Sequence, residues 1–201
     1  RLAGAVNGSF ALTTNSGSQS TTTAAIGQST AVASYSSTGA GSNVIGGSIA
    51  TTGAQSYTGP VTISGATRTL SSSANGAISL PTVNGANGLI ISNGSGAISL
   101  GVVGGSTPLT TLTLQGTGLN TLSGDINTTG AVDLKGTSRQ TTFAANRTIT
   151  TTNSSGNGNI TLGTTNSAYS LTLNPGSGAV SLGVLGRTAD GQSGVPLAAL
   201  T

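Results

Sequence analysis

The chain has 201 residues, of which 33 are Gly, 35 Thr and 29 Ser, while only 4% are charged and 2% aromatic. With no Cys and no His, disulfides, thiolate chemistry, the commonest general base and the usual transition-metal ligands are excluded. The net charge of +3 comes from Arg1, Arg68, Lys135, Arg139, Arg147 and Arg187 against Asp125, Asp133 and Asp190. These charges form neither the basic stripe nor the stacking platforms of a nucleic-acid surface, and they are expected to be solvated loop charges.

Much Gly and few aromatics suit a disordered segment, but two features oppose that reading. Thr, Val and Ile are plentiful while charge is nearly absent, and apolar residues alternate in short runs as half-buried strands require. No run of about 18 apolar residues is present to span a membrane as a helix. The chain starts at Arg1 without a Met or signal peptide and stops at Thr201 in mid-pattern, which reads as a piece of something longer or a processed product.

Internal repeats organise the chain. Residues 6–53 align without a gap on 83–130, an offset of 77 with 17 identities, among them Val6-Asn7-Gly8 with Val83-Asn84-Gly85 and Thr51-Thr52-Gly53 with Thr128-Thr129-Gly130. A third copy is visible with insertions: Gly94 to Gly104 recurs as Gly176 to Gly186 at an offset of 82, and Pro108-Leu109 as Pro196-Leu197 at 88. The added residues fall around Asn153 to Asn159 and Arg187 to Gly194, where loops are expected. The expected organisation is one repetitive segment over 1–201, with a partial copy at about 1–48 and further copies at 49–125 and 126–201.

A finer spacing lies inside the long one. Ala77-Ile78-Ser79-Leu80 and Ala97-Ile98-Ser99-Leu100 are 20 apart, as are Asn159-Ile160-Thr161-Leu162 and Ala179-Val180-Ser181-Leu182. The long unit is therefore expected to hold about four coils of roughly 20 residues, giving about ten coils and a rod of roughly 48 Å at about 4.8 Å per coil. The predicted fold is all-β, a parallel β-helix (β-solenoid), right-handed by the general chirality of strand crossovers.

Alternation sends Ile78 and Leu80 inward and Ser79 outward. Ile98 and Leu100 should stack on the first pair, and Val180 and Leu182 on Ile160 and Leu162. Ser79, Ser99, Thr161 and Ser181 are then expected in one outward column. Phe10, Phe143 and the three Tyr are expected at corners or outside, because a narrow core leaves little room for rings. Asn-Gly pairs such as Asn7-Gly8, Asn84-Gly85 and Asn93-Gly94 suit either corners or hairpin turns, and the 20-residue recurrence favours corners.

The stretches Ile49-Ala50-Thr51-Thr52-Gly53-Ala54-Gln55-Ser56-Tyr57-Thr58-Gly59-Pro60-Val61 and Gly101-Val102-Val103-Gly104-Gly105-Ser106-Thr107-Pro108-Leu109-Thr110-Thr111-Leu112 resemble the repeats of giant β-helical surface adhesins of Gram-negative bacteria, the filamentous-haemagglutinin-like proteins and autotransporter-type passengers. The resemblance implies a right-handed β-helix secreted through an outer-membrane pore (type V secretion) to the cell surface. The copy at Gly130-Ala131-Val132 lacks the Gln-Ser-Tyr-Thr-Gly element.

Catalytic, cofactor and metal residues are not expected. Asp125 and Asp133 lie close together in sequence and are the one carboxylate pair available to a hydrolase, and they read as solvated loop residues. The Ser and Thr hydroxyls lack an activating base, and the Gly-rich stretches lack the Lys-Ser or Lys-Thr of a phosphate loop. Three functions fit. One is a structural or adhesive rod with no catalysis, its partners neighbouring coils and cell-surface or glycan ligands. Another is a filament subunit whose identical chains join end to end by strand pairing. The third is an ice- or glycan-binding Thr face, motivated by Thr21-Thr22-Thr23 and Thr150-Thr151-Thr152.

Overall fold

The structure is a computed structural model that describes residues 1–152, 157–186 and 197–201. The segments where added residues are expected, Asn153 to Asn159 and Arg187 to Gly194, lie mostly outside these ranges. Every strand pairing among the described residues is parallel, and the partners come from successive passes of the chain around a common axis. The fold is a parallel β-solenoid with three faces.

Face 1 stacks Ala11–Thr14, Ser34–Ser37, Gln55–Tyr57, the first arms of Ile78–Asn84 and Ile98–Val103, then Leu119–Leu122, Gln140–Phe143 and Thr164–Thr165. Face 2 stacks Thr21–Thr23, Asn43–Ile45, Val61–Ile63, the second arms of those two long strands, Ile126–Thr128, Arg147–Thr151 and Leu171–Asn174. Face 3 stacks Ile49–Thr51, Arg68–Ser72, Leu89–Ser92, Leu112–Gln115, Val132–Asp133, Ile160–Leu162 and Val180–Leu182. The two long strands bend from face 1 to face 2 at Pro81 and Gly101, where a side chain on Gly101 would collide with the Pro81 carbonyl of the coil before it.

The coils are longer and fewer than the sequence spacing suggests. On face 1, Leu12, Tyr35, Gln55, Ile78, Ile98, Asn120, Thr141, Thr165 and Leu185 are successive register partners. Leu12 to Leu185 is covered in eight steps, so the solenoid has about eight turns averaging a little under two residues more than the expected coil. At about 4.8 Å per turn the stack rises about 38 Å, short of the expected length of roughly 48 Å. The expected spacing is real for Ile78 with Ile98 and for Ile160 with Val180. Most other steps are longer, though Asn43 to Val61 is shorter, and the longest step on face 1 runs from Thr141 to Thr165.

The core is the set of inward ladders. Ile78, Leu80, Ile98 and Leu100 stack as expected and are at most 1% exposed; Val180 and Leu182 stack on Ile160 and Leu162. Side chains alternate in, out, in along three-residue strands such as Val61–Ile63, the minimum that presents two core residues per side. Between the strands, Asn side chains at corners tie one coil to the next. Asn7, Asn84 and Asn146 accept hydrogen bonds from the backbone N–H groups of Ser29, Ser106 and Ser170, 2.9–3.0 Å away and one coil on. These ties replace the hydrogen bonds that a turn cannot supply to its own backbone.

The aromatic residues depart from expectation. Phe10 and Tyr169 lie at the surface, but Tyr35, Tyr57 and Phe143 are in the core. Tyr35 and Tyr57 stack edge to face with centroids 5.5 Å apart. The Tyr35 hydroxyl meets Thr14 Oγ1 at 3.0 Å, and the Tyr57 hydroxyl donates to Gln55 Oε1 at 3.2 Å. Tyr57 follows the short Thr14 and Ser37 in one inward ladder, whereas Tyr35 lies between Leu12 and Gln55 in the other. Composition alone does not reveal which coils have room for a ring.

Candidate functional site

With the inward half committed to packing, the surface chemistry belongs to the outward columns. On face 1 the column runs Thr13, Ser36, Ser56, Ser79, Ser99, Thr121, Thr142, a hydroxyl on every one of seven consecutive coils. Ser56 Oγ donates to Ser36 Oγ at 3.2 Å, joining two neighbouring coils of the column. Faces 2 and 3 are mixed. Face 2 offers Thr22, Val44 and Thr62 in one column, and face 3 offers Thr69, Ile90, Thr113, Asp133, Thr161 and Ser181.

The expected column of Ser79, Ser99, Thr161 and Ser181 is therefore two columns. Ser79 and Ser99 are partners on face 1, while Thr161 and Ser181 are partners on face 3. The Thr runs also contribute less surface than their composition implies. Thr21, Thr23 and Thr151 point inward and are at most 5% exposed, so Thr22, Thr150 and Thr152 alone reach the outside.

The arginines are not simply solvated. Arg139 is fully buried at the corner after face 3. Its guanidinium donates to Asn120 Oδ1 (2.6 Å), Asn93 Oδ1 (3.2 Å) and the carbonyls of Gly94 (3.3 Å), Gln115 (2.8 Å) and Gly96 (2.8 Å). The acceptors belong to the two coils before its own, so one side chain joins three coils. Burial pushes its pKa down to about 10, and it remains a cation at neutral pH, held by neutral oxygen dipoles rather than a carboxylate. Arg68 and Arg147 follow a weaker version of the pattern, donating through Nε to the Ser64 and Leu122 carbonyls. Lys135 is exposed; Arg187 and Asp190 lie outside the described residues.

What distinguishes Arg139 in the sequence is faint. The step from Asn120 to its face 1 partner Thr141 is longer by three than the step from the repeat-equivalent Asn43 to its partner Val61. The additional length makes the corner that turns Arg139 inward. That register is invisible before the strands are paired.

Asp125 and Asp133 do not form a site together. Asp125 Oδ1 accepts from Thr148 N at the corner before face 2, and Asp133 Oδ1 accepts from Lys135 N on face 3, both at 2.9 Å. Each carboxylate caps backbone on its own side of the rod. A shallow depression of about 420 Å³ is lined by Thr113, Leu114, Gln115, Gly116, Asp133, Gly136 and Thr137. Its lining can exchange hydrogen bonds with a polar ligand, and its one carboxylate, Asp133, is engaged by the Lys135 N–H.

Continuous parallel ladders, a closed aliphatic core and a hydroxyl-rich exterior define a β-solenoid rod. Comparison of the chain with protein-family models, with curated proteins and with solved structures finds no match.

Proposed function

We propose that this chain is a length of stiff shaft in an extracellular surface protein of a Gram-negative bacterium, of the adhesin type that its repeats resemble, and that it performs no catalysis. The observation that carries this reading is the unbroken core. Inward ladders run through about eight turns, so the coils couple end to end into a rod whose length scales with repeat number. The outward Ser and Thr keep such a rod hydrated without charge. Antibody against the purified chain, applied to intact and to permeabilised cells of the producing bacterium, tests it. Labelling of intact cells that external protease removes is the expected result. Labelling only after permeabilisation would sink the proposal.

A second reading is a filament subunit whose identical chains join end to end by strand pairing. Electron microscopy over a concentration series separates the readings. Fibres with a regular axial repeat support the filament. Isolated rods of about 38 Å at every concentration exclude it.

A further inference from the structure

The sequence repeat and the structural turn do not coincide. Between Val6 on face 3 and its equivalent Val83 on face 2 the chain makes eleven side-to-side steps: Val6, Leu12, Thr21, Ile26, Tyr35, Asn43, Ile49, Gln55, Val61, Leu70, Ile78, Val83. Eleven sides of a three-sided coil are three and two-thirds turns. Ile98 on face 1 and its equivalent Val180 on face 3 are also eleven sides apart, although the sequence between them is longer. The number of sides is kept while the number of residues changes, so the extra residues are absorbed at corners.

Local conformation follows the repeat and not the face. Gly17, Gly94 and Gly176 have φ of 59°, 57° and 58°, yet they turn the chain from face 1 to 2, from face 3 to 1 and from face 2 to 3. Gly27, Gly104 and Gly186 have φ of 73°, 71° and 70° at three different corners in the same way. The buried amides Asn43 and Asn120 are repeat equivalents on faces 2 and 1, each donating to a backbone carbonyl of the following coil. The three sides are interchangeable for this sequence because each asks only for two inward residues flanking one outward residue.

We infer that the repeat is a device for rotational display: each copy presents its surface one face, a third of a turn, away from the copy before it, at an axial rise of about 18 Å. Thr22, Ser99 and Ser181 hold one repeat position and point outward from faces 2, 1 and 3 respectively. A partner that reads the repeat-encoded surface therefore meets it on every side of the shaft. Small ligands bound one per copy, such as glycan ends, suit that display; a flat lattice touches one copy in three. The inference rests on the rod reading and adds to it that repeat number sets azimuth as well as length.

The absence of Cys permits a direct test with paired spin labels. Thr22→Cys/Ser99→Cys marks repeat equivalents on different faces. Thr13→Cys/Ser99→Cys marks face 1 twice, four coils apart, at a rise of about 19 Å. The first pair is expected to give the longer distance despite its smaller rise, because its labels leave sides separated by a sheet-packing distance of about 10 Å or more. A first distance equal to or shorter than the second overturns the rotational display and leaves the rod intact. A broad distribution for the face 1 pair overturns the stacked rod itself, and with it the inference.

Discussion

At the scale of single residues, the core tolerates polarity only where each polar atom is answered. Ile98 is fully buried with a coil above and below, so Ile98→Asp places an uncompensated charge in the ladder. A loss of about 3 kcal/mol or more is expected, while Ser99→Asp, outward on the same strand, should stay within about 1 kcal/mol. Urea melts of the two variants check the in-out assignment. Arg139→Met tests the buried cation. It removes a donor from five oxygens, of which the Gly94 carbonyl keeps the Thr117 N–H, and at about 1–3 kcal/mol for each left unpaired that water cannot reach the variant should melt well below the parent. Arg139→Lys should fail to rescue it, because an ammonium has three donors and no planar fork.

Tyr57 supplies a pH dependence with a defined sign. Burial raises its pKa well above the ordinary 10, with Tyr35 adding to the shift. The folded value exceeds the unfolded one, so this contribution to stability is fully present below about pH 10 and is lost as pH rises toward the folded pKa. Tyr57→Phe should cost about 1 kcal/mol at neutral pH through the lost hydrogen bond to Gln55 and should flatten the alkaline loss of stability. Arg139 has the opposite sign in this range, since its folded pKa is lowered, but it is common to both proteins and drops out of the comparison. Unfolding midpoints from about pH 8 to 11 read the difference in slope.

At the scale of strands and corners, the strands are short and nearly alike, and the corners carry the individuality. Gly17 and Gly104 both adopt positive φ, but a Cβ on Gly17 meets open space while one on Gly104 meets the Asn127 carbonyl of the next coil. Gly17→Ala should therefore cost only the backbone term, about 1 kcal/mol. Gly104→Ala should cost about 1–3 kcal/mol more, because a backbone carbonyl held in a ladder cannot move aside. Thermal melts of the pair distinguish conformational strain from close coil approach.

For the whole molecule, strand pairing joins each coil only to the coils before and after it, so stability is close to a nearest-neighbour sum. Amide hydrogen exchange should be slowest for Ile78–Asn84, Ile98–Val103 and Leu112–Gln115, which are paired on both sides. It should be faster for Ala11–Thr14 and Val180–Leu182, which are paired on one side. Uniform protection along the rod would contradict this coupling and indicate a single global unit.

Alternation and repeat spacing were enough, in the sequence by itself, to point to an all-β stack of parallel coils and to the inward ladder of Ile78, Leu80, Ile98 and Leu100; they favoured Asn-Gly corners over hairpins, and the parallel pairing decided for corners. The stack and the ladder depend on local pattern, which is written in neighbouring residues. Tertiary structure alone decided how many residues each corner holds, and so the count of about eight turns, the split of Ser79 and Ser99 from Thr161 and Ser181, and the burial of Tyr35, Tyr57, Phe143 and Arg139. Those depend on register between residues a whole coil apart, from the short step of Asn43 to Val61 to the long one of Val132 to Ile160. One residue more or less in a corner leaves the local pattern unchanged, yet it alters which side chains meet across the core.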